Sequence, residues 1–114
     1  MKAETLVKAV EIVPLEVIVR NVTAGSFSKR MGVEEGKELL HPIVEFSYKS
    51  DPLDDPFIND DYATALGLAT KEEVETIKDY ARKVNDYLCK HFKSVGIRLV
   101  DFKLEFGRYD GKII

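Results

Sequence analysis

Residues able to meet a phosphate lie together at the end of one predicted strand: Arg20-Asn21, followed by Ala24-Gly25-Ser26. An arginine offers a planar fork of donors to a phosphate, and a Gly-Ser turn into a helix adds backbone N–H groups and a hydroxyl. A surface arginine beside an ordinary turn accounts for the same spacing, and on spacing alone that plainer reading stands ahead. A second set is Asp101, Lys103 and Glu105, which alternate so that a strand carries all three on one surface. Two carboxylates flanking an ammonium suit Mg²⁺ and the nucleotide phosphates that accompany it. The solvated face of an antiparallel sheet alternates charge in the same way, and without other information it accounts for the triplet better. The third set is a loop stiffened by Pro52 and Pro56, in which Lys49 is followed by Asp51, Asp54 and Asp55. Loops on a rigid scaffold often hold function, although acidic turns also serve as plain solvated connections. His41, His91 and Cys89 match no nucleophile motif or compact metal pattern and read as structural, with Cys89 a partly buried, inert thiol.

The elements that must position these residues follow from hydrophobic periodicity. Residues 6–22 are rich in Val and Ile and interrupted only by Pro14, which predicts strands over 5–13 and 15–22 with a bend or edge position at the proline. In the second strand Glu16, Ile18 and Arg20 share one face, and Leu15, Val17 and Val19 share the other. Small residues at 23–26 turn into a short helix around 27–31, and a third strand is predicted over 42–49. An acidic loop over 50–61 leads to a short helix over 60–66. Thr70 and Glu73 form a capping-box pattern opening a helix over 71–95, and Gly96 stops it. Val74, Ile77, Ala81, Val84, Leu88, Phe92 and Val95 keep the spacing of a buried stripe along that helix. Over 97–108 the alternation is strict, with Val100, Phe102, Leu104 and Phe106 inward, and Asp110-Gly111 then supplies a two-residue hairpin turn. The sum is an α+β fold: a mainly antiparallel sheet with the 71–95 helix packed on its inner face.

Composition bounds the function. At 114 residues and 12.9 kDa the chain is the size of one domain, and 45% hydrophobic with 32% charged residues is a globular composition. A net charge of −3 argues against nucleic acid or anionic lipid as a partner held by bulk charge. No apolar run approaches the roughly 18 residues of a membrane span, and the N-terminus lacks a signal-peptide pattern. A single cysteine excludes an internal disulfide and a Cys-based zinc site. These bounds predict a soluble, cytoplasmic single domain over 1–114. The short return after the hairpin, and a strand starting almost at the first residue, predict a piece cut from something longer.

Taken together the segments resemble the SAICAR synthetase family of purine biosynthesis. The matching runs are 12–21 (IVPLEVIVRN), 24–30 (AGSFSKR), 42–46 (PIVEF), 54–60 (DDPFIND), 65–69 (ALGLA) and 100–107 (VDFKLEFG), in the family's order and spacing. Each run is weak alone; the set is specific, and it reverses the plainer readings of the first three sets. The resemblance implies an ATP-dependent ligase joining L-aspartate to the carboxylate of carboxyaminoimidazole ribonucleotide, with ADP and phosphate released and Mg²⁺ required. Carried over position by position, it implies that Arg20 and Ser26 grip the ribonucleotide 5′-phosphate. Lys49 and Asp55 meet the nucleotide and imidazole substrates or their metal, Glu105 ligates Mg²⁺, and Lys103 lies beside it at the nucleotide. Asp101 is a weaker candidate for the same region, and the segment before Pro14 forms a hinge against adenine. The family fold is ATP-grasp-like, and this chain corresponds to its larger lobe, a central segment lacking the N-terminal lobe and the C-terminal metal-binding segment. Such a piece is expected to be inactive alone. The alternative reading is a non-catalytic folded fragment that at most binds a phosphorylated nucleotide through Arg20 and Ser26, and uncovered sheet edges leave a homo-oligomer open as a third.

Overall fold

A computed structural model of the chain describes residues 11–53 and 56–114. Five strands form one antiparallel sheet in the order β3-β2-β1-β4-β5: β1 is Glu11–Val22, β2 Glu38–Tyr48, β3 Phe57–Ile58, β4 Asp101–Tyr109 and β5 Lys112–Ile113. Helix α1 (Gly25–Met31) follows β1, α2 (Asp60–Ala65) follows β3, and the long α3 (Lys71–Ser94) crosses one face of the sheet. The α+β architecture expected from periodicity is therefore present. None of the described helices is long and apolar enough to cross a membrane.

The central strand differs from expectation. Residues 11–22 form one strand through Pro14, where sequence reasoning places a break; residues 5–10 of the expected first strand lie outside the described residues. The β1–β4 register shifts between Ile12 and Glu16, so the proline falls at an irregularity where its missing N–H costs no regular ladder bond. The Pro14 carbonyl accepts the Lys49 N–H at 3.0 Å. A second irregularity lies at Asn21, where the Asn21 and Val22 N–H groups both donate to the Val100 carbonyl, at 2.8 and 3.2 Å.

Two strand boundaries also move. β2 begins at Glu38 rather than at 42, because Thr23 draws the preceding turn back: it exchanges backbone bonds with Lys37 and Gly36, and its hydroxyl accepts the Lys37 N–H. β4 begins at Asp101 rather than at 97, since the end of β1 is bonded to the Val100 carbonyl and leaves residues 97–99 no strand to join. The pair Phe57-Ile58, read as loop, forms the edge strand β3 against Phe46 and Ser47.

One face of the sheet makes the core. Val13, Leu15, Val17 and Val19 of β1, Phe46 of β2 and Phe106 of β4 pack with Val74, Ile77 and Ala81 of α3. Each fully buried Leu or Ile in such a cluster contributes about 1.5–3 kcal/mol. The buried stripe of α3 continues through Asn85, where the spacing pointed to Val84. The capping box forms as predicted: Thr70 Oγ1 accepts the Glu73 N–H at 3.1 Å, and Glu73 Oε1 accepts the Thr70 N–H at 2.9 Å. Glu73 also accepts from Arg108, whose guanidinium donates to the Leu68 carbonyl at 2.9 Å and to Glu11 Oε1 at 2.8 Å. One arginine thus ties the start of α3 to β4 and β1. The Asp110-Gly111 turn closes the β4–β5 hairpin with φ of 53° and 77°, the left-handed pair that a two-residue turn requires.

Candidate active site

With one face of the sheet covered by α3, the opposite face is free to carry polar side chains, and three strands present them in register. Cross-strand pairing places Ser47, Glu16 and Glu105 in one row, Glu45, Ile18 and Lys103 in the next, and Ile43, Arg20 and Asp101 in the third. The period of two in each strand aims all nine at the same side. Helix α1 stands over one end of this surface, and an open cavity of about 440 Å³ lies between them. Glu16, Ile18, Arg20, Ser26, Asp101 and Lys103 line it, together with Phe57.

Arg20 is the most enclosed charge here, only 7% exposed. Its Nε donates to Glu45 Oε1, its Nη1 lies 3.9 Å from Asp101 Oδ2, and its guanidinium sits 5.4 Å from the centre of the Phe27 ring. Arg30 approaches the same Glu45 oxygen at 3.9 Å and packs over Phe57 at 4.4 Å. Lys49 and Glu105 meet in an ion pair of 2.7 Å on the same face, Glu105 standing beside Glu16. The cavity therefore offers cations held against carboxylates and aromatic rings, an arrangement suited to a phosphorylated ligand.

Sequence reasoning singled out Arg20, Ser26, Lys103 and Asp101, and all four line the one cavity. Lys49 and Glu105 join each other close by, while Asp55 lies outside the described residues, as do residues 1–10 of the expected hinge. The turn before α1 is less open than its composition suggested: the Gly25 N–H donates to Glu35 Oε1 at 2.8 Å, so an internal carboxylate already holds that donor. No three His, Cys, Asp or Glu side chains among the described residues form a group able to hold a metal by themselves. His41 and His91 are exposed and away from the cavity, His91 stacking on Tyr87. Burial pushes the Cys89 thiol above its ordinary pKa, and the Asp86 charge adds to this.

Glu45, Arg30 and Phe57 escaped assignment of a role. The alternation of Ile43, Glu45 and Ser47 places Glu45 on the polar face, and that much was legible. Its meeting with two arginines from other elements is tertiary and has no local signature.

Comparison with known proteins now decides the family. The SAICAR synthetase family model matches residues 1–114. The chain belongs to the SAICAR synthetase family. Among curated relatives, a phosphoribosylaminoimidazole-succinocarboxamide synthase of Lachnoclostridium phytofermentans is 63% identical over 111 residues, covering 97% of this chain and 47% of that protein. One from Akkermansia muciniphila is 65% identical over 102 residues, covering 90% and 43%. The chain thus spans about half the length of the curated relatives it matches. Solved SAICAR synthetases share the fold: that of Pyrococcus horikoshii superposes with a TM-score of 0.86 at 50% identity, over 92% of this chain and 46% of that one. A second solved SAICAR synthetase, in complex with ADP, gives 0.88 at 49% identity, over 92% and 45%.

Proposed function

We propose that this chain forms one wall of the active site of an ATP-dependent ligase that joins L-aspartate to the carboxylate of carboxyaminoimidazole ribonucleotide. The observation that carries the reading is the convergence of Arg20, Ser26 and Lys103 on one cavity in a SAICAR synthetase chain. Arg20 and Ser26 grip the 5′-phosphate, and Lys103 neutralises phosphate oxygens of the nucleotide. The ADP complex of a relative supports ATP as the nucleotide. The substrate carboxylate attacks the terminal phosphorus of ATP and ADP leaves; the aspartate amine then attacks the acyl carbon, and phosphate leaves as the amide forms. Such chemistry rests on positioning and charge neutralisation. Lys49, paired with Glu105 on the polar face, and Asp55 are the residues assigned to the reacting groups.

Mg²⁺ is bound through one or two carboxylates together with waters and phosphate oxygens, so it does not require a cage of protein ligands. Glu105, with Glu16 in the neighbouring register position, fits that donor set. When bound, the ion would neutralise charge on the transferring phosphoryl group. The 114 residues act as a single domain in the cytoplasm, and the rest of the cleft comes from the half of the relatives' length that this chain does not span. By itself the chain binds the ribonucleotide without turnover.

The test is an amide NMR titration with 5-aminoimidazole-4-carboxamide ribonucleotide, with and without Mg²⁺. Saturable shifts at Arg20, Gly25 and Ser26 are expected. Dispersed peaks that never move would overturn the placement of the phosphate. ATP-dependent amide synthesis by the chain alone would overturn the one-wall reading.

A further inference from the structure

A carboxylate beside a phosphate site is, on Coulomb grounds, a liability, yet Glu45 is only partly exposed and lies directly against Arg20. Its contacts supply the reason. One oxygen, Oε1, accepts from Arg20 Nε on β1 and lies 3.9 Å from Arg30 Nη2 on α1. The Phe27 ring is near both arginines, its centre 5.4 Å from the Arg20 guanidinium and 5.8 Å from that of Arg30. Bonding at Nε removes one donor of five; the two Nη groups remain at the cavity, Nη1 with Asp101 Oδ2 3.9 Å away on the same lining. An arginine has several rotatable bonds, and one already held in place loses less freedom when an anion arrives.

We infer that Glu45 is a positioning residue: it fixes the guanidinium of Arg20 in its anion-binding orientation, with Arg30 drawn in as the second cation that offsets its charge. The inference rests on the proposed seat of the ribonucleotide phosphate at Arg20. It goes beyond that reading in giving the neighbouring carboxylate a favourable effect on anion binding.

The sign of the effect separates positioning from charge. Removing a carboxylate near a phosphate tightens binding if Glu45 acts as a charge alone. If it positions Arg20, Glu45→Ala weakens binding despite removing a negative charge. Glu45→Gln keeps a carbonyl acceptor for Nε and binds as well as the wild type or better.

The experiment uses the 114-residue chain and 5-aminoimidazole-4-carboxamide ribonucleotide, with affinity read by calorimetry and folding of each variant read from amide dispersion. The expected result is at least fivefold weaker binding for E45A, with E45Q within twofold of wild type or tighter. Tighter binding by both variants, or no change in either, overturns the inference and leaves the phosphate placement standing. No binding by the wild type overturns both. A wild-type measurement covers the case in which E45A does not fold: the Arg20 Nε–H resonance should stay protected from water exchange when ligand saturates. Its loss of protection would show that Glu45 lets go, and would also overturn the inference.

Discussion

Asn21 and Asn85, 64 positions apart, exchange two side-chain hydrogen bonds: Asn21 Nδ2 donates to Asn85 Oδ1 at 2.8 Å, and Asn85 Nδ2 donates back to Asn21 Oδ1 at 2.9 Å. Asn85 is 4% exposed and lies on the sheet-facing side of α3, and Cys89 Sγ donates to the same Oδ1 at 3.6 Å. The pair fixes the end of β1 against the helix, one residue beyond Arg20. Truncating one partner leaves the other amide unsatisfied, which costs about 1–3 kcal/mol. Asn85→Ala is therefore expected to lower stability by that amount in urea unfolding. Replacing both residues by Leu should recover much of the loss, since two apolar groups of similar shape leave no amide unpaired and only the weak Cys89 Sγ–H donor loses its acceptor. A double variant no more stable than Asn85→Ala would show that the amides do more than satisfy each other.

Arg108 and Glu73 supply a pH-dependent prediction. The hydrogen bond from Arg108 holds the Glu73 carboxyl below its ordinary pKa, against the opposing effect of burial, and the bonds at Thr70 add to the lowering. Arg108 is raised in turn by its bond to Glu73. A carboxylate with a lowered folded-state pKa contributes stability that is present in full above the unfolded value and lost as pH falls through the folded one. For Glu73 the loss begins below about 4.5. Glu73→Gln is expected to cost about 1.5–3 kcal/mol at neutral pH, the range for hydrogen bonds to charged groups. The gap from wild type should narrow as pH drops below that value. A gap that stays constant from pH 7 to 3 would remove the Arg108 bond as its cause.

These two links mark the border of what the sequence makes readable. The capping box at Thr70-Glu73, the Asp110-Gly111 turn and the faces of residues 15–20 are local, set by hydrogen-bond geometry within four residues or by a period of two, and they appear as expected. Arg20 and Lys103 could be placed on polar faces for the same reason. Their meeting in one cavity depends on the β1–β4 register, which no local pattern encodes. Pro14 reads as a strand break because the irregular β1–β4 register that accommodates it has no local signature. Glu45 stayed without a role because its partners arrive from β1 and α1. The apolar spacing of α3 points to Val84, since such a stripe gives no sign of a buried amide like Asn85 whose partner lies on another element.

Ser28 presents the reverse of the Asn21–Asn85 arrangement. Its residue is 5% exposed, and among the described residues its Oγ is the buried side-chain polar atom without a hydrogen-bond partner. A hydroxyl taken from water without compensation costs about 1–3 kcal/mol. Ser28→Ala removes that cost, and alanine is also the stronger helix former at a position within α1. The variant is expected to be more stable than wild type by about 1 kcal/mol, measured as a rise in the urea midpoint with unchanged slope. A fall in the midpoint would indicate that the hydroxyl has a partner in solution.

Glu105 separates binding from stability. Its ion pair with Lys49, 2.7 Å long, joins two side chains that are each about half exposed, and exposed pairs contribute at most about 1 kcal/mol. Glu105→Gln should therefore leave the unfolding midpoint nearly unchanged. The proposed role predicts a different loss. Mn²⁺ added with ADP, in place of Mg²⁺, is expected to broaden the amide resonances around Glu105 in the wild type through its unpaired electrons. The same addition should leave those resonances sharp in Glu105→Gln, since an amide oxygen is the weaker ligand for a hard divalent cation. Equal broadening in both proteins would take the metal away from Glu105 and leave its carboxylate as the partner of Lys49 alone.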